Sequence, residues 1–303
     1  MKLSRIVLLL AVLCVGAGAA WSAYPPFRLF TLYAAGHNVV CPLKNAVDAA
    51  AHVEKLRDAK DRILAGSKLV EKDPAGYRLY DTPKGRWWIP EGAEFVLPFN
   101  LAEQELDIYG TGEHAVRPGD IVLDCGANVG VFARKALDAG AAKVIVIEPA
   151  PENLECLRRN FPSEIAAGTV LIYPKGVWNK DDVLEMNIDP KNSAGDSFVI
   201  HREGSHTLRL PLTTIDKMVS ELGLSRVDYV KMEIEGAEPK ALAGGWGTIS
   251  RWKPSLSISA YHVPDHPVTI PNLIRSIRGD YRMECGPCEE HDGQIHPDIL
   301  YFK

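Results

Sequence analysis

The sequence predicts a doubly wound α/β protein: a mostly parallel, seven-stranded sheet preceded by a helical and hairpin cap. Two observations carry this prediction. From Pro118-Gly119-Asp120 onward, short apolar runs alternate with helical stretches. Those runs are continuous rather than alternating with polar residues, as expected of strands covered on both faces. A third observation refines it, since the first such strand runs straight into a glycine-bearing turn and then a helix.

The elements follow in order. Lys2 and Arg5 precede an apolar run from Ile6 to Ala20, and no further charge appears before Arg28. A basic start and an apolar stretch mark residues 1–23 as a signal peptide or membrane anchor. Small residues at 17–19 and 20–23 offer cleavage-type spacing. The run from Ile6 to Phe27, with Pro25 and Pro26 in it, just reaches the roughly 20 residues a span needs. The chain is thus expected to be anchored to a membrane or exported. Lys2 and Arg5 favour a cytosolic N-terminus, and Arg28 and Lys44 weaken that orientation.

Residues 24–115 form the cap, expected to carry no chemistry of its own. Helical spacing of Val47, Ala51, Val53, Leu56 and Ile63 predicts a helix from Asn45 to about Leu69. Tyr77–Tyr80 and Arg86–Ile89 flank Asp81-Thr82-Pro83-Lys84-Gly85, which is hairpin chemistry. The main domain spans 116–303. Its strands are expected at 121–124, 144–147, 170–173, 227–232, 256–259, 281–285 and 299–302, with helices at 132–139 and 152–161 and extra extended segments within 182–212.

A net charge of −5 and the lack of a basic stripe give no reason to expect nucleic acid. Six scattered cysteines are too few for a disulfide scaffold. Cys285-Gly286-Pro287-Cys288 has the spacing of a redox tetrapeptide. Its place near the C-terminus favours a turn or structural disulfide over redox chemistry, or over a metal site with His291 and His296.

The stretch Asp124-Cys125-Gly126-Ala127-Asn128-Val129-Gly130 is a candidate ligand turn, because Gly126 and Gly130 let the backbone bend tightly and approach a ligand at the strand ends. The second strand ends in Glu148, where an acid can hold both hydroxyls of a ribose. A dinucleotide fingerprint would place glycine at 128 and a third glycine at 133. Asn128 and Ala133 stand there, which argues against NAD and an NAD-linked oxidoreductase.

These residues resemble the FkbM methyltransferase family. The Asp124–Gly130 turn resembles its first motif, and Glu148-Pro149-x-Pro151-x-Asn153 its second. Thr214-Ile215-Asp216 and then Lys231-Met232-Glu233-Ile234-Glu235-Gly236-Ala237-Glu238 resemble its most specific motif, with Glu233 where the family usually has Asp. His262 follows the fifth strand, as in many members.

The resemblance implies a class I methyltransferase, Rossmann-like fold and O-methylation by S-adenosyl-L-methionine. The acceptor would be a small-molecule or glycan hydroxyl, such as a sugar or natural product. It further implies that Asp124, Gly126, Asn128 and Gly130 hold the methionine and ribose end, that Glu148 holds the ribose, and that Lys175 to Trp178 lie near the adenine. Lys231, Glu233, Glu235 and His262 are the candidate catalytic residues, with Lys231 orienting the acids and Glu233, Glu235 or His262 serving as base. Plainer roles stand beside these. Glu238 suits a helix N-terminus, Glu235 suits a turn before Gly236, and Lys231 can simply neutralise an acid. No metal is assigned, although three acids could hold a divalent cation. A tethered binding module without catalysis is the remaining alternative.

Overall fold

A computed structural model describes residues 18–189, 192–201 and 203–303. Most of the predicted leader, including Lys2, Arg5 and residues 6–17, lies outside the described residues. Among those described, no helix is long and apolar enough to cross a membrane.

The cap consists of α1 (Pro25–Ala34), α2 (Leu43–Gly66), a three-stranded sheet β1 (Lys68–Asp73), β2 (Tyr77–Thr82) and β3 (Gly85–Pro90), and α3 (Val96–Glu105). The predicted hairpin is β2–β3, paired from Tyr77↔Pro90 to Thr82↔Gly85. The predicted helix stops at Gly66 rather than Leu69, since Ser67 is extended (φ −86°, ψ 141°). β1 then pairs antiparallel with β2. Its residues are almost all exposed, so backbone pairing rather than apolar alternation forms the strand. That is why the residue pattern did not reveal it.

The main sheet runs through β4 (Ile121–Cys125), β5 (Lys143–Ile147), β6 (Val170–Tyr173), β10 (Tyr229–Met232), β11 (Ser255–Ser259), β12 (Met283–Cys285) and β15 (Ile299–Phe302). Its spatial order is β12-β15-β11-β10-β4-β5-β6. The five strands from β11 to β6 are parallel, and β15 runs antiparallel to β11 and β12. All seven predicted strands are therefore present, in a doubly wound order that reverses between β4 and β10.

Alternate strand residues feed two cores, as a period of two dictates. Val122, Val144, Val146 and Tyr229 face α4 (Val131–Asp138), α5 (Pro151–Asn160) and the cap. Leu123, Ile145, Ile147, Val230 and Met232 face α7 (Ile215–Glu221), α8 (Glu238–Gly244), α9 (Trp246–Trp252) and α10 (His266–Ile277). A short α6 (Pro162–Ala167) precedes β6. The extended segments expected within 182–212 are β8 (Asp182–Ile188) and β9 (His206–Thr213), which join β7 (Gly176–Val177) in a small side sheet.

Two features tie the cap to the main domain. Arg159 of α5 stacks on Tyr77 and Trp88 and pairs with Asp73 at 2.6 Å. Asn160 receives the Trp88 N–H at 2.8 Å and donates to Val129 O at 3.0 Å. At the other end, Asp292-Gly293 closes a hairpin, β13 (Cys288–His291) with β14 (Gln294–Pro297). Cys288 bonds to Cys41 of the cap, 247 residues away, while Cys285 is a free thiol. The tetrapeptide is thus split: one cysteine is structural, but its partner comes from the cap rather than from the motif.

Candidate active site

A cavity of about 380 Å³ opens at the carboxyl ends of β4, β5 and β10, where the strand order reverses, and the cap closes its far side. Ligands of doubly wound sheets bind at this crevice. Gly126 has φ +78°, and a Cβ there would lie 1.8 Å from Glu233 O, so only glycine lets the two strand-end loops touch. Gly130 has φ +94° and a Cβ there would strike the Phe161 ring at 2.3 Å. It therefore serves helix packing and is not part of the cavity wall. Asn128 takes a left-handed conformation (φ 50°), and its amide donates to Ser193 O at 3.1 Å. This side chain fills the space that a dinucleotide loop leaves free for pyrophosphate.

Glu148 is 4% exposed and lines the cavity. Its Oε2 accepts the Asn128 N–H and its Oε1 the Ala150 N–H, each at 2.9 Å. The Asn153 side chain also bonds this carboxylate, which leaves it room to accept from a further hydroxyl. Burial pushes Glu148 up to about 7, against the opposing pull of the two N–H groups and of Asn153. Across the cavity mouth Asp196 is pushed up to about 8, again chiefly by burial.

At the β10 end, Lys231 and Asp124 occupy facing register positions on neighbouring strands. Their side chains point to the same face and meet at 3.3 Å. Asp124 is fully buried and lies off the cavity wall, behind Lys231. Burial raises its carboxyl, partly offset by the Lys231 ammonium. Lys231 donates to Gly126 O at 2.8 Å and sits 3.6 Å from Glu233. Burial works against its charge, but Asp124 and Glu233 outweigh it and hold the ammonium above its ordinary value. Glu233 is gripped from both sides, receiving the Tyr109 hydroxyl on Oε2 and the Tyr261 hydroxyl on Oε1 at 3.1 Å.

Glu235 lines the cavity from a turn with φ 53° rather than from the strand itself. His262 does not reach the cavity. It is wedged between Glu235 at 3.2 Å and Glu238 at 3.0 Å, with His266 3.5 Å from Glu238 on the far side. Burial disfavours the imidazolium, but Glu238 and Glu235 overcome it and raise His262 to about 10. In this position the ring braces Glu235 and Glu238 from behind the cavity wall. Glu238 is fully buried and accepts the Ile234 N–H at 3.0 Å. Trp178 also lies off the wall, its N–H donating to Thr213 O at 2.7 Å, while Gly176 and Val177 line the cavity instead.

The cap, expected to carry no chemistry, supplies Phe95, Phe99, Asn100, Glu103 and Tyr109 to the wall. Ser193, Asp196, Phe198, Tyr261, Glu289 and Asp298 also line the cavity from outside the predicted set. Tyr261 could have been found from the sequence, since it directly follows the fifth strand beside His262. The cap residues carry no such signal, because only tertiary docking brings them to the strand ends.

A 2-O-methyltransferase, NoeI, of Sinorhizobium fredii (strain NBRC 101917 / NGR234) is 27% identical over 152 residues, covering 45% of this chain and 61% of that protein. The 31-O-demethyl-FK506 methyltransferase FkbM of Streptomyces tacrolimicus is 24% identical over 157 residues, covering 43% and 60%. The chain thus spans less than two thirds of the length of these curated relatives. Among solved structures, a methyltransferase FkbM from Methylobacillus flagellatus KT superposes with a TM-score of 0.48 at 18% identity, covering 84% of this chain and 60% of that one. The family model described as the methyltransferase FkbM domain matches residues 124–283, which takes in both strand-end motifs, the end of β4 and the parallel strands β5, β6, β10 and β11. With more than half of its 303 residues inside that match, the chain belongs to the FkbM methyltransferase family.

Proposed function

We propose that the cavity binds S-adenosylmethionine and that the protein transfers its methyl group to a hydroxyl of a small-molecule or glycan acceptor. The observation that carries this is the pair of opposed carboxylates. Glu148 waits at the β5 end with room to accept from a ribose hydroxyl, and Glu233 is held at the β10 end by Lys231, Tyr109 and Tyr261. The bound cofactor supplies an already activated, cationic methyl donor. The chain then has two tasks, to align the acceptor oxygen and to take up its proton. Alignment accounts for most of the rate, and the base adds about 10²–10⁴-fold.

Glu233 fits the second task. Lys231 and the two phenols fix its orientation, and Asp124 fixes Lys231. Glu235, braced by His262, adds negative charge that favours the cationic donor. An oxygen acceptor is supported by the two curated relatives, both of which are named as O-methylating enzymes.

The test combines binding and turnover on the full chain. Calorimetry should show binding of S-adenosylhomocysteine, with NAD far weaker. Labelled methyl transfer to a panel of sugars and polyols should fall by about 10²–10⁴-fold in Glu233→Gln, with S-adenosylhomocysteine affinity nearly unchanged. Tight NAD binding with no response to S-adenosylhomocysteine overturns the cofactor, and wild-type turnover in Glu233→Gln overturns the base.

A further inference from the structure

We propose that His52, Glu289 and Asp298 form a divalent-cation site at the inner end of the cavity. The three residues come from distant parts of the chain: α2 of the cap, strand β13, and the residue just before β15. One ligand atom of each lies within 4.8 Å of the other two. His52 Nε2 stands 4.0 Å from Asp298 Oδ2. That nitrogen is sealed from solvent and makes no hydrogen bond, although a side chain only 17% exposed would normally satisfy it. An imidazole nitrogen aimed at two carboxyls, without a proton donor or acceptor of its own, has the disposition of a ligand.

The carboxyls point the same way. Glu289 and Asp298 each bring a carboxyl oxygen within 4.8 Å of the other and of the His52 nitrogen, and a cation between them would balance two like-charged groups held close together. Nitrogen and oxygen ligands sit about 2.0–2.2 Å from zinc, so three donors sharing one ion stand about 3.3–3.8 Å apart. His52 Nε2 and Asp298 Oδ2, at 4.0 Å, are already near that separation. One imidazole and two carboxylates suit Mn²⁺ or Zn²⁺ better than an all-oxygen ion. Glu289 and Asp298 both line the cavity, so the ion's remaining positions would face it. The site needs only these three donors and does not depend on the methyl-transfer reading.

Chelator-stripped full-length protein should be titrated with MnCl₂, followed by electron paramagnetic resonance of free ion, and with ZnCl₂ by calorimetry. One ion per chain is expected, together with a rise in melting temperature on loading. His52→Gln and Asp298→Asn should each weaken binding at least tenfold and abolish the temperature rise. Glu148→Gln, at the other end of the cavity, should bind the ion as wild type does. Melting temperatures without the ion show whether each variant is folded, and either folded variant alone decides the question. Absence of saturable binding, or wild-type affinity in a folded variant, overturns the proposal. S-adenosylhomocysteine affinity, measured in the same stripped samples, should not change and so reports separately on the cofactor reading.

Discussion

Glu148 is buried, and the ribose role proposed for it calls for its charged form. Burial has lifted its carboxyl to about 7, and the ionised carboxylate, an acceptor at both oxygens, receives a hydroxyl better than the protonated form does. Cofactor binding should therefore tighten as pH rises through about 7 and level off above, because below that value the carboxyl must first lose its proton. Calorimetry with S-adenosylhomocysteine between pH 6 and 8 should show a dissociation constant falling by up to about tenfold per pH unit at the acid end. Glu148→Gln should be weaker by about 1–3 kcal/mol at pH 8 and should lack the slope. An identical slope in the variant would assign the titration to another group, Asp196 being the nearest in value. Gly126, Asn128, Glu148, Lys231, Glu233 and Glu235 were legible in the sequence because each sits at or just past the end of a readable strand. Glu103, Tyr109, Glu289 and Asp298 reach the same cavity from elements whose docking no local pattern encodes.

The β10–α8 connection shows how an element can be braced by charge. Ile234 N–H is held by Glu238, and Glu238 and Glu235 clasp His262 between them. His262 is raised from 6.5 to about 10 in the folded protein. A raised folded value contributes its full stabilisation below about 6.5 and loses it as pH climbs to about 10. His262→Gln should cost about 3–5 kcal/mol near neutrality, because it leaves buried carboxylates without their cation. The gap to wild type should narrow steadily between pH 7 and 10. Urea unfolding at several pH values measures it, and a gap independent of pH would show that shape rather than charge holds this turn. The sequence placed His262 correctly after the fifth strand but not its neighbours, since Glu238 and His266 meet it only once α8 and α10 pack together. Strands buried on both faces were readable from their continuous apolar runs, whereas β1, held by pairing alone, was not.

At the scale of the molecule, the cap and the β13–β14 hairpin are tied to each other. Cys41 and Cys288 are joined, and Asn45 donates to the carbonyls of Cys285 and Gly286 at 3.1 and 2.8 Å. Cys41→Ser should cost about 2–5 kcal/mol. Reductant should lower wild-type stability to the variant's level and leave the variant itself unchanged. Equal unfolding midpoints for oxidised wild type and variant would show that the bond adds nothing to docking. A change in pattern near Pro118 was readable in the sequence, but the partnership across it was not, because a disulfide between scattered cysteines leaves no trace in spacing. That partnership also has a consequence in time. At about 5–20 residues per second of synthesis, the 247 residues separating the two cysteines take roughly 12–50 s to appear. The cap is made before the hairpin that carries its disulfide partner, so this bond can close only after Cys288 has been translated.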